Sequence, residues 1–401
     1  MEKVYIVAAK RTAIGAFGGT LKNTPAGELG AVAIKGALEA ANVQPSDVDE
    51  VIVGNVVAAG QGMSIGRQAA IFAGVPETVP AYTVNMVCGS GMKTLMDAAS
   101  HIRSGDAEVV VAAGVEVMSQ IPFAAPTSLR QGHKMGDLNF KDLLVSDGLT
   151  DVFNQYHMGV TAENIAKEVG LTRQVQDEYA LSSQQKAVAA IEAGKFKQEI
   201  VPVEVKNRRE TITFDTDEYP KVDASLAGLQ KLRPAFDREG TVTAGNASGI
   251  NDGASALVVA SESAVKRLNL TPLCELASYA QTGLDPKVMG LGPVKAVTSA
   301  LSKAELSISD VDVFELNEAF AAQALGVVHQ LAEHHEVEKD VILSKANMNG
   351  GAIALGHPLG ASGNRIIVSL IHEMERQGSS SGVASLCIGG GMGTAVVLKR
   401  S

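Results

Sequence analysis

Three cysteines in 401 residues are too few for a disulfide framework, and none belongs to a Cys-x-x-Cys pair or a Cys/His cluster of zinc-ligand spacing. A reducing compartment is the natural setting for such a chain. Basic charge is also scarce. The 34 Lys and Arg face 44 Asp and Glu, and a net charge of −10 leaves no basic footprint for general nucleic-acid binding. An anionic substrate would need local basic residues working against that global field. No stretch reaches the ~18 apolar residues of a membrane span. The opening MEKVYIVAAKRT runs into a strand-like stretch, without the charged start, long apolar segment and cleavage site of a signal peptide. Lys399-Arg400-Ser401 is not a peroxisomal address. The expectation is a cytoplasmic protein.

Hydrophobic residues make up 46% and charged residues only 19%, proportions that suit large buried sheets and exclude a disordered chain. Single cores stop growing near ~250–300 residues, so this length predicts two or three. The chain also repeats itself. Leu29 and Leu291, each before a glycine, open similar helical patterns, which lead through Ser46-Asp47-Val48-Asp49 and Ser309-Asp310-Val311-Asp312 into strands at Val51 and Val313. Val84-Asn85-Met86 matches Ala346-Asn347-Met348, and the offset is 262 or 263 throughout. Each copy continues through a Gly-rich turn into a helix, striped by Met92, Leu95, Met96 and Ala99 or by Ile366, Ile367, Leu370 and Met374. Strands at Val109–Ala113 and Val383–Leu386 follow. Apolar runs alternating with helices predict strands buried on both faces. Between the copies, Ile121 to Asn251 is richer in charge and turn residues, with a helix expected over Arg173–Ala193. It reads as an insertion carrying binding loops.

Four polar positions fall at the ends of matching strands, where α/β sheets place their chemistry. Cys88 lies in Asn85-Met86-Val87-Cys88-Gly89-Ser90-Gly91, before an expected helix whose dipole and free N–H groups favour thiolate. The glycines after it would let a substrate approach the backbone. The same segment also reads as a buried thiol in a tight turn. His357, between Gly356 and Pro358, has a constrained backbone and a ring of near-neutral pKa suited to acid–base work, or simply completes a hydrogen bond. Cys387, before Gly389-Gly390-Gly391, can serve as a base beside N–H groups that hold an oxyanion, or can be a buried thiol before a turn. Asn317 of Asn317-Glu318-Ala319-Phe320 is a polar group at an equivalent edge, or a helix cap. Cys274 reads as core.

Together, Asn-x-x-Cys-Gly-Ser-Gly, Asn-Glu-Ala-Phe, Gly-His-Pro and Cys-x-Gly-Gly-Gly-x-Gly closely resemble the motifs of the thiolase family, over essentially the whole chain and nearest its short-chain, biosynthetic acetyl-CoA acetyltransferase branch. The resemblance implies reversible condensation of two acetyl-CoA to acetoacetyl-CoA and CoA by a ping-pong route. Cys88 would carry the acyl group, and His357 would activate it and help bind the thioester oxygen. Cys387 would take the α-proton of the second acetyl-CoA. Asn317, through an ordered water, would share one oxyanion hole with His357; the N–H groups of Cys88 and Gly389 would form the other. Leu149, His157, Met158, Ala244 and Ser248 match pantetheine and acyl-pocket segments. Lys221 matches a position near the nucleotide, and Met289 and Phe320 match residues that narrow the acyl pocket. For Lys206, Arg208, Arg209 and Lys221 an ordinary solvated face is the competing reading.

The implied fold is five-layered αβαβα, with residues 1–120 and 252–272 in one half, 273–401 in the other, and an inserted loop domain over 121–251. The segment near Ile121–Asp137 resembles one that forms tetramers, so a homotetramer (a dimer of dimers) is expected. The expected partners are acetyl-CoA, acetoacetyl-CoA and CoA, with neither nucleic acid nor membrane, and no metal or cofactor, because CoA is a substrate. Three rivals stand beside this reading. One is a β-oxidation 3-ketoacyl-CoA thiolase of longer chain preference. Another is a carrier-protein condensing enzyme, against which Cys387 argues. The third is a non-catalytic lipid- or acyl-CoA-binding relative, against which the joint presence of Cys88, His357 and Cys387 argues.

Overall fold

Nearly continuous apolar runs become strands here because both faces of each strand are covered. The computed structural model describes residues 2–207 and 210–400. In chain order its first half contains β1 (Val4–Thr12), α1 (Ala26–Ala41), β2 (Glu50–Gly54), β3 (Ala81–Val84), α2 (Ser90–Ser104) and β4 (Val109–Val117). Then come α3 (Met158–Val169), α4 (Arg173–Glu192) and β5 (Asn251–Ser261). The remainder contains β6 (Cys274–Gly283), α5 (Gly292–Ala304), β7 (Val313–Leu316), α6 (Ala321–His334), α7 (Leu359–Gln377), β8 (Ser381–Ile388) and β9 (Met392–Lys399).

The expected duplication is visible in the strand order. One set runs β3-β2-β4-β5-β1 and the other β7-β8-β9-β6. A parallel bridge between Phe314 and Ala346 stands where β3 stands in the first set. β2 pairs in parallel with β3 and β4, and the pairs β4–β5 and β5–β1 are antiparallel. Likewise β7–β8 is parallel, while β8–β9 and β9–β6 are antiparallel. Among the described residues the two sets pair along a short seam, Tyr5 to Glu275 and Ile6 to Cys274.

Alternation along the strands sorts side chains into layers. In β4, Val109, Val111, Ala113, Val115 and Val117 face an outer core with Leu29 and Ile34 of α1. Val110 and Ala112 face the opposite way, toward α2 and α7. Those two helices form the middle layer: Leu95, Ile366 and Leu370 pack on Ile52 from one set and on Leu386 and Leu398 from the other. α5 and α6 cover the far face through Val297, Leu301, Val327 and Leu331. The five layers are thus helix, sheet, helix, sheet, helix. α7 is buried from Leu359 through Met374, including polar residues off the apolar stripe read from sequence, because sheets cover it on two sides.

Residues between β4 and β5 fold over one end of these layers. α4 begins where Thr172 accepts a hydrogen bond from the Val175 N–H (3.3 Å) and ends within one residue of its expected limit. A hairpin pairs Phe123–Ala124 with Lys141–Asp142, and another pairs Val203–Asn207 with Glu210–Phe214. Lys206 is exposed on the second hairpin, whereas Arg208 and Arg209 lie outside the described residues.

Candidate active site

The nucleophile candidate sits in a strained turn. After β3 the chain passes through Val87 at φ +48°, a left-handed conformation that a β-branched residue adopts only under constraint. The constraint is a set of short-range hydrogen bonds. Asn85 Oδ1 accepts from the Val87 N–H (3.0 Å), and Asn85 Nδ2 donates to Val56 O (3.0 Å). Ser90 Oγ accepts from the Met86 N–H (2.9 Å) and donates to Val87 O (2.6 Å). Cys88 is thereby placed, partly exposed, on a cavity of about 510 Å³.

The glycines after Cys88 also serve packing. A Cβ on Gly89 would lie 2.4 Å from Ile388 Cδ1, and one on Gly91 would lie 2.8 Å from the Asn364 N of α7. Against the thiolate expected from the helix start stands the burial of the sulfur. Enclosure lifts the Cys88 thiol to about 11, a desolvation effect that outweighs the N–H groups of Gly389 and Cys88 itself, which act to lower it. The resting group is therefore a thiol that needs a base.

His357 lines the same cavity, as a ring whose burial makes it a weak base. Its backbone N–H donates to Asn251 Oδ1 (3.1 Å), and Gly356 before it is at φ +107°, where a Cβ would run 2.3 Å from Asn251 Cγ. Nδ1 lies 2.6 Å from Ser362 Oγ, whose proton goes to Pro358 O at 3.0 Å. In the arrangement in which that hydroxyl donates to Pro358 O, Nδ1 is the donor and Nε2 carries the lone pair. Nε2 is buried with no protein partner, and His357 lines the same cavity as Cys88. The ring is far from the near-neutral pKa expected: burial first, then the Arg365 charge, hold it down at about 3.

Cys387, at the end of β8, and Gly389 also line this cavity. Burial and the neighbouring Cys88 push the Cys387 thiol well up. Asn317 follows β7, but it neither lines the cavity nor caps α6, whose preceding residue is Phe320. Both ends of its buried amide lack a protein partner. Cys274 is buried in the middle core, as expected.

Of the other sequence-predicted residues, Leu149, His157, Met158, Ala244, Ser248, Met289 and Phe320 all line the cavity. Lys221 does not. It lines an adjoining cleft of about 200 Å³ that shares Tyr219 and Ala244 with the main cavity. The reason is that the segment after Tyr219 turns outward, leaving Lys221 exposed, with its N–H on Gln184 Oε1 (2.9 Å).

Sequence reasoning missed several walls. Phe236 stacks on His157 at 4.5 Å and meets Phe320 edge-on at 6.1 Å, making a three-ring side of the cavity. Phe17, Tyr219 and Ile250 also contribute. Phe236 sits in a charged stretch, Lys231–Arg238, with no periodicity to mark it. Among the described residues no Lys, Arg, Asp or Glu lines the main cavity, so it suits an uncharged thioester arm, while the adjoining cleft carries Lys221 together with Asp223.

The N-terminal thiolase domain model matches residues 4–263, and the C-terminal thiolase domain model matches residues 270–400. An acetyl-CoA acetyltransferase of Cupriavidus necator is 56% identical over 401 residues, covering all of both chains. One of Escherichia coli is 52% identical over 400 residues, again covering 100% of each. Among solved structures, human mitochondrial 3-ketoacyl-CoA thiolase in complex with CoA superposes with a TM-score of 0.93 at 45% identity, covering 100% of this chain and 98% of that one. An acetyl-CoA acetyltransferase from Syntrophomonas wolfei superposes with a TM-score of 0.97 at 42% identity, with 100% of both chains covered.

Proposed function

The chain belongs to the thiolase family, and on that premise we propose that it transfers acetyl groups between CoA thiols. Two acetyl-CoA condense to acetoacetyl-CoA and CoA, and thiolysis runs in reverse through the same acetyl-Cys88 thioester. Full-length relatives named for acetyl-CoA acetyl transfer support the reaction. The observation that carries the assignment of roles is the meeting of Cys88, Cys387, Gly389 and His357 on one cavity that, among the described residues, no charged side chain lines.

In the first half-reaction the Cys88 proton moves to His357 Nε2 as sulfur attacks the acetyl carbonyl. The N–H groups of Cys88 and Gly389 hold the developing oxyanion. Departing CoA sulfur takes the Cys387 proton, which leaves imidazolium and a Cys387 thiolate. Raised by burial, that thiolate is a strong base for the α-proton of the second acetyl-CoA. The enolate attacks acetyl-Cys88, whose departing sulfur recovers its proton from His357. Asn317 and His357 bind the second thioester oxygen, Asn317 through water, in keeping with an amide that no protein group occupies. No metal or cofactor enters; CoA is the substrate. Pantetheine runs past Ala244 and Ser248, and the nucleotide end reaches the cleft with Lys221.

Met289, Phe320 and Phe236 close the cavity in a way that favours a short acyl chain over the longer chains of the β-oxidation alternative. A thiolysis profile that peaks on long 3-ketoacyl-CoA would reverse this preference. Exposed Phe123, Leu129, Met135 and Phe140, on the segment spanning the first hairpin, support a homotetramer, which light scattering would read directly. The cytoplasm, whose thiols stay reduced, is the proposed location. No helix of the described residues is long and apolar enough to cross a membrane.

Mass spectrometry of a digest after mixing with acetyl-CoA tests the core of the reading. An acetyl group on Cys88 is expected. Labelling of Cys387 alone, or of neither cysteine, overturns the mechanism.

A further inference from the structure

Glu116 carries no motif signal and lines neither the main cavity nor the adjoining cleft, yet it lies at the crossing of the two catalytic segments. It is in β4, fully buried, and among the described residues no cation pairs with it. A carboxylate so placed persists only where several donors satisfy it. Four do. Oε1 accepts from Asn55 Nδ2 (3.1 Å) and the Val57 N–H (3.1 Å). Oε2 accepts from the Val56 N–H (2.9 Å) and the Gly360 N–H (2.9 Å).

These donors belong to two segments far apart in sequence, and each leads to a reacting residue. On one side, Val56 O accepts from Asn85, and Asn85 holds the Val87 N–H beside Cys88. On the other, Gly360 is in the first turn of α7, which starts two residues after His357 and carries Ser362, whose Oγ meets the ring. The contact leaves no room for a side chain at 360: a Cβ there would lie 2.7 Å from Glu116 Oε2 and 2.6 Å from Val115 O.

We propose that Glu116 is a positioning residue, a carboxylate clamp that sets the placement of the Cys88 turn relative to the His357 turn. The proposal rests on the acetyl-transfer reading above. Burial without a counter-ion lifts this carboxyl to about 7, so its four neutral donors and the N-terminus of α7 carry the whole of its satisfaction. Glu116→Gln preserves size but turns an NH2 toward two of the four N–H groups. One half of the clamp then opens.

Wild type and E116Q, as full chains, are compared in acetoacetyl-CoA thiolysis and in single-turnover acetylation of Cys88 followed by mass spectrometry. For folded E116Q, kcat falls by about 10²-fold, the size of effect that misplacement of reacting groups by about 1 Å produces. KM for both substrates stays within about threefold, and acetylation slows in step with kcat. A kcat within about twofold of wild type, or a loss carried by KM with acetylation unchanged, overturns the proposal. If E116Q does not fold, N55A, which removes one donor of the four, takes its place. Its kcat falls at least about threefold, and an unchanged kcat overturns the proposal. Wild-type protein that takes no acetyl group on Cys88 overturns the acetyl-transfer reading and this one with it, whereas an active wild type with an unimpaired variant overturns this one alone.

Discussion

At the scale of single residues, the chemistry depends on which nitrogen of His357 holds the proton, and a serine five positions later decides it. With its proton on Pro358 O, Ser362 Oγ accepts from Nδ1, and this is the arrangement the mechanism requires. Substituting Ser362 by alanine removes that acceptor and leaves the tautomer and ring angle unset. The expected result for S362A is a kcat lower by roughly 10–10²-fold with KM little changed, because general-base catalysis of this kind contributes about 10²–10⁴-fold in all. Steady-state thiolysis checks it, and a kcat equal to wild type would refute the tautomer argument. His357 itself was legible from its Gly-His-Pro setting. Its displacement to about 3 was not, since burial and Arg365 cause it and neither is local.

At the scale of elements, two equivalent turns have diverged within one duplicated frame. Asn55 follows β2 and Asn317 follows β7, at the same 262-residue offset. Asn55 Nδ2 is held by Glu116 and by Val115 O (3.0 Å), both of β4. The strand equivalent to β4 is β8, which stops at Ile388 and turns through Gly389–Gly391, so no carboxylate reaches Asn317 and its amide stays free. The middle helices share a second constraint. A Cβ at Gly363 in α7 would lie 2.2 Å from the Met92 N of α2. G363A therefore overpacks the crossing and should cost about 1–3 kcal/mol of stability. Urea unfolding measures this; an unchanged midpoint would show that the helices can separate without penalty.

At the scale of the whole molecule, buried carboxyls set how stability follows pH. Glu116 and Asp252 are raised to about 7 and 6, chiefly by burial, from 4.5 and 3.8, and burial raises Glu315 against the opposing charge of Arg365 at 3.7 Å. The folded chain thus keeps protons that the unfolded chain has released. Their stabilising contribution is complete below about pH 4 and is lost as pH climbs through about 6 to 7. His357 acts in the opposite sense: its folded value of about 3 lies below 6.5, so it costs stability only as pH falls below about 6.5. Between pH 6.5 and 8.5 the carboxyls dominate, and the melting temperature should be higher at the lower pH. Calorimetry at the two values decides, and the reverse order would contradict the burial assigned to Glu116 and Glu315.

What the sequence determined by itself is whatever rests on short-range pattern. Strand and helix periods, the 262-residue repeat, the expected α4 and the four motifs are all readable within windows of a few turns. Packing decided the rest. Phe236, Tyr219 and Phe17 became cavity walls, Lys221 moved to a neighbouring cleft, and the glycines beside Cys88 turned out to admit a helix and a strand. Cys88 and His357 likewise left their expected protonation ranges. Each of these outcomes depends on which atoms from distant segments displace water around a group. Burial and the hydrogen bonds that compensate for it exist only once the two halves have closed on each other.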